Sequence, residues 1–457
     1  MSIAASPHSP SSSPASLRRA VGRWDLTALG INQVIGGAIF LTPASIAAEI
    51  GTWSPIGFVL AGFAMLLIAL CYAETASRFS VTGGAYIYAR AAFGNLIGFE
   101  VGWMQWFVRV SSQAAIVTGI ASALASYWPP AAERGGNALV VSTITLLIGY
   151  WHTKGIRQSA WAINFFTISK LIPLLVLIAG GLFLADWRSM EPLPAISPKQ
   201  AITAGLLLVF AFGGFESVAV IAGEARLPQR DVPFALGATI LAVTLVMAAV
   251  QAVYVATVPG DATSAAPLAQ SAQALLGWAG VAMIGAGSVI SVIGSNVGSA
   301  LAASRMLFAF AENGDVPRGF AKIHPRYGTP VVAIWFSTTT ALVLALTGSF
   351  VLLASVSALA RLVTYTGVSL ATLTLRKPRF PAASFLLPFG ATIPLAAAAV
   401  SLTMFAGATR EQLITGAAAL GAGALLYACN TPWRRAAAAR GTCSSDSAAF
   451  FSAPRTN

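Results

Sequence analysis

Four side chains that ionise in water fall inside long apolar stretches of this chain: Arg109, Lys170, Glu216 and Arg361. Two glycine pairs share that setting, in Ile35-Gly36-Gly37-Ala38-Ile39-Phe40 and in Phe210-Ala211-Phe212-Gly213-Gly214-Phe215-Glu216. Glycine is the poorest helix former after proline, so each pair predicts a helix that unwinds. An unwound turn bares main-chain N–H and C=O groups that hydrocarbon cannot satisfy. It is tolerated only where it is packed in protein or lines a cavity. Matched breaks in two halves of one chain point to a solute site between them, as transporters build it. The competing expectation is that the glycines only let neighbouring helices approach closely. The recurrence of the pair in both halves favours the break.

The elements that must hold these residues are helices in a bilayer. The 457 residues are 56% hydrophobic and 9% charged, with mean hydropathy +0.76. A soluble domain carries about 25% charged residues. A span needs about 20 apolar residues, and candidates fall near 25–46, 54–77, 94–127, 137–151, 159–184, 200–223, 233–258, 277–303, 330–347, 350–375, 385–405 and 411–430. The expectation is an all-α polytopic membrane protein of 12 transmembrane helices. Residues 1–22 and 434–457 are expected to be disordered cytoplasmic tails, with no cleaved signal at the start. Net charge is +12, and topology accounts for it better than nucleic acid does. With the N-terminus inside, only Arg134, Arg188, Lys199 and Arg410 fall in outer loops, Arg109, Lys170 and Arg361 lie in spans, and the remaining 20 of 27 Lys and Arg are cytoplasmic. That asymmetry places both ends inside. Three cysteines and three histidines form no metal-spaced set or disulfide framework, and no Ser/His, His-cluster or paired-Asp constellation suggests an enzyme. No cofactor is expected.

Several separated motifs add a resemblance. They are the Ile35–Phe40 segment, with Ala38 where a second motif glycine is expected, and Tyr72-Ala73-Glu74, Arg78-Phe79 and Gly83-Gly84-Ala85-Tyr86. They continue with Phe210–Glu216, then Glu224, Pro228, Arg230 and Pro233, and finally Arg305, Asn313-Gly314, Pro317 and Thr329-Pro330. From about Trp24 to Lys377 the chain resembles the amino acid–polyamine–organocation superfamily, specifically its bacterial amino acid permeases. The resemblance implies a core of two inverted five-helix repeats over 23–375, discontinuous helices 1 and 6, and two peripheral helices over 376–433. It implies movement of an amino acid or amine, often coupled to protons or by exchange.

An amino acid zwitterion needs donors for its carboxylate and acceptors for its ammonium. Half-helix N-termini supply the first and half-helix C-termini the second. The carboxylate is therefore assigned to the N–H groups of Gly37 and Ala38, beside Gly36. The ammonium is assigned to carbonyls near Ile35, Phe210 and Gly213. Ala38 narrows the approach to this site by one methyl. Phe210 aligns with the aromatic that caps the substrate in related permeases, which implies an outer gate; Phe212 is the second candidate, and a core role is the alternative for both. A lysine at mid-membrane costs about 2.5–3.5 kcal/mol. The resemblance puts Lys170 where sodium sits in sodium-coupled proteins of this fold, implying a group that gains and loses a proton as the carrier cycles. Snorkelling to the inner face is its alternative.

Glu216 either takes part in coupling or makes a permanent structural bond. Gln105, Arg109 and Gln113 recur every four residues on one helix face, which by motif alignment looks toward the substrate side chain. Arg109 could then receive a second carboxylate, or pair with Glu216. Ser295, Asn296 and Ser299 could complete the pocket, hold Lys170 or join helices. Glu74, Glu100 and Glu224, near span ends, are expected to anchor loops. The function expected is proton-coupled uptake across a bacterial inner membrane by alternating access. The partners are a small amino acid or amine, protons and lipid, with no nucleic acid, in a monomer or homodimer. Exchange, or a transport-inactive sensor, are the alternatives.

Overall fold

A computed structural model describes residues 19, 21–124, 128–154, 157–189, 192–258, 266–348, 350–405 and 408–430. The expected tails lie outside the described residues, apart from Arg19, Val21 and Gly22. Val21 is tied down: its N–H donates to the Glu224 carbonyl at 3.1 Å and its carbonyl accepts from Arg226 N–H at 2.9 Å.

Among the described residues the chain is helical throughout and has no strand. The α-helices are α1 (Arg23–Val34), α2 (Ala38–Ile50), α3 (Ser54–Ala76), α4 (Ala85–Phe93), α5 (Asn95–Leu124), α6 (Arg134–Thr153), α7 (Arg157–Leu184) and α8 (Pro198–Ala211). They continue as α9 (Ser217–Val220), α10 (Pro228–Thr257), α11 (Pro267–Glu312), α12 (Val331–Thr347), α13 (Phe350–Leu375), α14 (Thr392–Phe405) and α15 (Arg410–Cys429). Local chemistry sets several ends. Ser197 and Gln200 form a reciprocal capping box at the start of α8, with bonds of 3.0 and 3.3 Å, and Thr409 and Gln412 repeat it before α15. Gly51 closes α2 at φ 53°, a left-handed turn other residues resist. Gly277, at φ 63°, splits α11 into two helical pieces.

Among the described residues, six helical stretches are long and apolar enough to cross a bilayer: Ala38–Ala76, Ile163–Leu184, Pro228–Thr257, Pro267–Glu312, Val356–Leu375 and Arg410–Cys429. Three more apolar helices, α8, α12 and α14, are shorter. Large side chains such as Phe63, Phe183, Leu241 and Trp278 point outward. In water such surfaces invite association, whereas in lipid they are the solvated face. Polar side chains go inward instead. Glu74 receives Arg376 through bonds of 2.7 and 2.5 Å, Glu224 receives Arg305 at 2.9 Å, and Asp315 receives Arg90 at 2.5 Å. Glu100 differs from the expected loop anchor: it lies within α5 against Gly423, and neither carboxylate oxygen has a hydrogen-bond partner among the described residues.

Small residues set how closely the helices approach. α3 packs along α10, and α10 also packs against α1. Gly62 on α3 leaves the space that Thr244 fills, and Gly30 on α1 does the same for Thr239. Both chain breaks then sit in the interior: α1 ends and α2 begins beside α11, while α8 packs on α2 and α13. Replacing Gly62 with leucine should push α10 off α3 and destabilise the protein by about 1–3 kcal/mol, the usual cost of overpacking. A lowered thermal midpoint in detergent would register it, and an unchanged midpoint would show that the contact is slack.

Candidate functional site

The first break spans Ile35 to Gly37. Ile35 N–H still donates to Ile31 at 2.8 Å, but Gly36 N–H turns back to Val34 at 2.7 Å. The helical ladder stops there, freeing carbonyls at the end of α1. Lys170 of α7 meets them. Its Nζ donates to the carbonyls of Asn32 (2.9 Å), Ile35 (2.7 Å) and Ser291 (3.3 Å) and to Ser295 Oγ (3.2 Å). The lysine is fully buried. A cation at a helix C-terminus is the favourable polarity, so this ammonium caps α1 from a neighbouring helix. Ser291 Oγ supports it by donating to Ile35 and Gly36 carbonyls at 3.2 and 3.3 Å. On the other side of the break, α2 begins with Gly37 and Ala38, whose N–H groups meet no acceptor among the described residues.

The second break runs from Phe212 to Glu216. Gly213 N–H turns back to the Phe210 carbonyl at 3.1 Å. Gly214, at φ 132°, donates its N–H to Glu216 Oε2 at 3.0 Å. Here the protein's own carboxylate answers a main-chain N–H inside the break. Its Oε1 lies 2.8 Å from Arg109 Nη2 and 3.7 Å from Arg361 Nε, and Tyr365 OH donates to Oε2 at 3.3 Å. Glu216, Arg109 and Arg361 are all buried. The two breaks touch: a side-chain carbon on Gly214 would come within 2.6 Å of the Gln33 carbonyl oxygen. Only a glycine tolerates both that approach and that φ.

Between the breaks lies a small cavity. Gly36, Gly37 and Ala38 line one wall and Phe210, Gly213 and Gly214 the opposite one, with Arg109 and Ser112 from α5, Ser295 and Ser299 from α11, and Arg361 from α13 around them. A family model described as amino acid permease matches residues 21–417. The chain belongs to the amino acid permease family. The permease is 31% identical over 387 residues to the branched-chain amino acid permease BcaP of Bacillus subtilis (strain 168), covering 79% of this chain and 82% of that protein. It is 29% identical over 408 residues to the methylthioribose transporter of the same organism, covering 85% and 88%. It is 30% identical over 336 residues to the chloroplastic cationic amino acid transporter 9 of Arabidopsis thaliana, covering 69% and 59%. The permease is accordingly a polytopic membrane protein and a transporter, not an enzyme.

Of the residues singled out in the sequence, Gly36, Gly37, Ala38, Phe210, Gly213, Arg109, Ser295 and Ser299 line the permease's cavity. Ile35 does not; its carbonyl already accepts from Lys170 and Ser291. Phe212 is turned away, its ring 6.2 Å from that of Phe58. Lys170 and Glu216 sit behind the lining, each fastening one break. Ser295 both lines the cavity and holds Lys170, whereas Asn296 donates within its own helix to Val292 at 3.1 Å. Gln105 and Gln113 are buried but off the lining. Gln113 is rotated about 40° from Arg109 on the side away from Ser112 and Ile116, whereas Gln105 shares their face one turn earlier on α5; the cavity is met by Arg109, Ser112 and Ile116 instead. Arg361 is the member that sequence reasoning noted only as intramembrane. Its guanidinium fills the space that a side chain on Gly213 would need, a pairing across 148 positions that no spacing announces.

Of the two readings of Arg109, the pair with Glu216 is the one formed. Removing the carboxylate (Glu216→Gln) leaves two buried guanidinium groups facing each other, a loss of about 3–5 kcal/mol for a broken buried pair. Thermal unfolding in detergent should show the drop, and Arg109→Gln added to it should recover part. Equal stability of wild type and Glu216→Gln would mean that the pair contributes nothing.

Proposed function

We propose that the permease is a secondary active amino acid transporter, driving uptake with protons by alternating access. The observation that carries this reading is the pair of facing breaks around a cavity. Main-chain donors without an acceptor stand on one wall, and a turn with redirected carbonyls stands on the other. The substrate carboxylate is received by the N–H groups of Gly37 and Ala38, where the α2 dipole adds about half a positive charge. The ammonium lies toward the second break, near the carbonyls of Phe210 and Gly213. Phe210 covers the substrate as a gate.

In the full arrangement that we propose, α1 with α2 and α8 with α9 each make one interrupted crossing. Together with α3, α5, α6, α7, α10, α11, α12 and α13 they form two inverted five-crossing repeats. α14 and α15 add two peripheral crossings, and both chain ends lie in the cytoplasm of a bacterial cell, at its inner membrane. The Arg305–Glu224 and Arg90–Asp315 pairs then close the inner side. Lys170 is the coupling group: as an ammonium it ties α1 to α7 and α11, and as a neutral amine it donates fewer and weaker bonds to the same carbonyls. Binding at the first break and protonation of Lys170 are thereby linked through shared main chain. Relatives named for branched-chain amino acids and for cationic amino acids agree with an amino acid as the cargo.

Proteoliposomes carrying an imposed pH gradient test the coupling. Wild type should accumulate labelled amino acid without counter-substrate inside, whereas an obligate exchanger would ignore the gradient. Lys170→Ala should lose gradient-driven accumulation while still binding substrate, and accumulation at the wild-type rate would remove the coupling role. Gly37 tests the carboxylate site. A single methyl there meets Ile116 and Val292 at an ordinary 3.5 Å, so Gly37→Ala should fold and retain transport. The branched Gly37→Val should express normally and lose uptake by about tenfold or more, the effect of losing one charge-assisted contact. Normal uptake by Gly37→Val would sink the assignment.

A further inference from the structure

We infer that the cavity is built for an amino acid whose side chain carries a carboxylate, and that Arg361 is the residue that recognises it. This rests on the amino acid transport reading above and specifies its substrate class.

Three side-chain cations stand at or just behind the cavity, Arg109, Arg361 and Lys170, against one carboxylate, Glu216. That carboxylate is already committed, Oε1 to an ion pair and Oε2 to hydrogen bonds, although neither Oε1 nor Arg109 Nη2 has a hydrogen bond among the described residues. Oε1 is 2.8 Å from Arg109, and Oε2 accepts from Gly214 N–H and Tyr365 OH. Arg361 is left with Nε 3.7 Å from Oε1, beyond hydrogen-bond reach. Its one hydrogen bond among the described residues is Nη2 to Ser112 Oγ at 3.3 Å, and Nε and Nη1 have no partner. The side chain is 3% exposed and lines the cavity. A guanidinium does not shed its proton in proteins, so this charge stays. A buried cation held only by a shared ion pair at 3.7 Å is costly, and an entering carboxylate lowers that cost. The planar fork of donors suits a carboxylate.

The same geometry works against cations. The Ile35 carbonyl is occupied by Lys170, and the Arg361 guanidinium lies over Gly213. A cationic side chain would therefore meet the Arg361 guanidinium, and the Ile35 carbonyl is closed to it while Lys170 is protonated. A substrate with one ammonium and two carboxylates satisfies the set. Its α-carboxylate goes to the α2 N-terminus, its ammonium to second-break carbonyls, and its side-chain carboxylate to Arg361.

The test uses the full chain reconstituted in liposomes under an inward proton gradient, with uptake and competition measured for L-glutamate, L-aspartate, L-glutamine, L-leucine and L-arginine. L-glutamate or L-aspartate should be taken up and should outcompete L-glutamine by about tenfold or more, the effect of one charge-assisted pair. Arg361→Gln should erase that preference for acidic amino acids over L-glutamine. Arg361→Lys, which keeps the charge without the fork, should fall between. Uptake of L-leucine or L-arginine that neither acidic amino acid inhibits would overturn the substrate class and leave amino acid transport standing. Failure of every amino acid, whatever its charge, to be taken up or to raise the thermal midpoint would overturn both. The wild-type panel needs no variant, so it decides the matter even if Arg361→Gln does not fold.

Discussion

Main-chain polar atoms freed at bilayer depth cannot turn to water, so each must be answered by protein or by cargo. In this permease most of them are answered by side chains reaching from other helices. Lys170, Ser291 and Ser295 take the carbonyls at the end of α1, and Glu216 takes the Gly214 N–H. What stays open is the start of α2. The site is therefore defined as much by what is already satisfied as by what is not: the second break's Gly214 N–H is answered by Glu216, while the start of α2 faces the cavity.

Holding two unwound segments together requires that nothing but hydrogen project between them. Gly214 abuts the Gln33 main chain, Gly213 gives way to Arg361, and Gly298 on α11 gives way to the Gln33 side chain. Gln33 then bridges to α11, donating to the Ser295 carbonyl at 3.2 Å and accepting from Ser299 Oγ at 3.2 Å. The glycines thus act twice. They weaken the helix where it breaks, and they make room for the polar side chains that compensate the break.

How much of this could be read from the chain depends on the range of the interaction. The Gly36-Gly37 and Gly213-Gly214 pairs were legible because poor helix propensity in an apolar stretch is a local property. Lys170 was legible because an intramembrane lysine demands an answer wherever it is. The cavity wall on α5 was only half legible. A spacing of four suggests one face, yet the wall is Arg109, Ser112 and Ile116 rather than Gln105, Arg109 and Gln113. Arg361 was not legible as a site residue. Its meaning depends on the space beside Gly213 and on Glu216 being already engaged, both facts of tertiary packing.

The two breaks are tied to their surroundings by groups of opposite kind. The first is held to α7 and α11 by an ammonium, the second to α5 and α13 by a carboxylate between two guanidinium groups. In the proposed cycle the broken helices must move against those neighbours, so each tie has to loosen. Lysine can become neutral, and the first tie then weakens with proton loss. Arginine cannot, so the second tie loosens only when another anion competes with Glu216 for the guanidinium groups. A proton and a carboxylate would then act on different breaks. Because Gln33 and Gly214 bring those breaks into contact, release of one is felt by the other, and that contact is the shortest mechanical route by which a proton could drive an anion across.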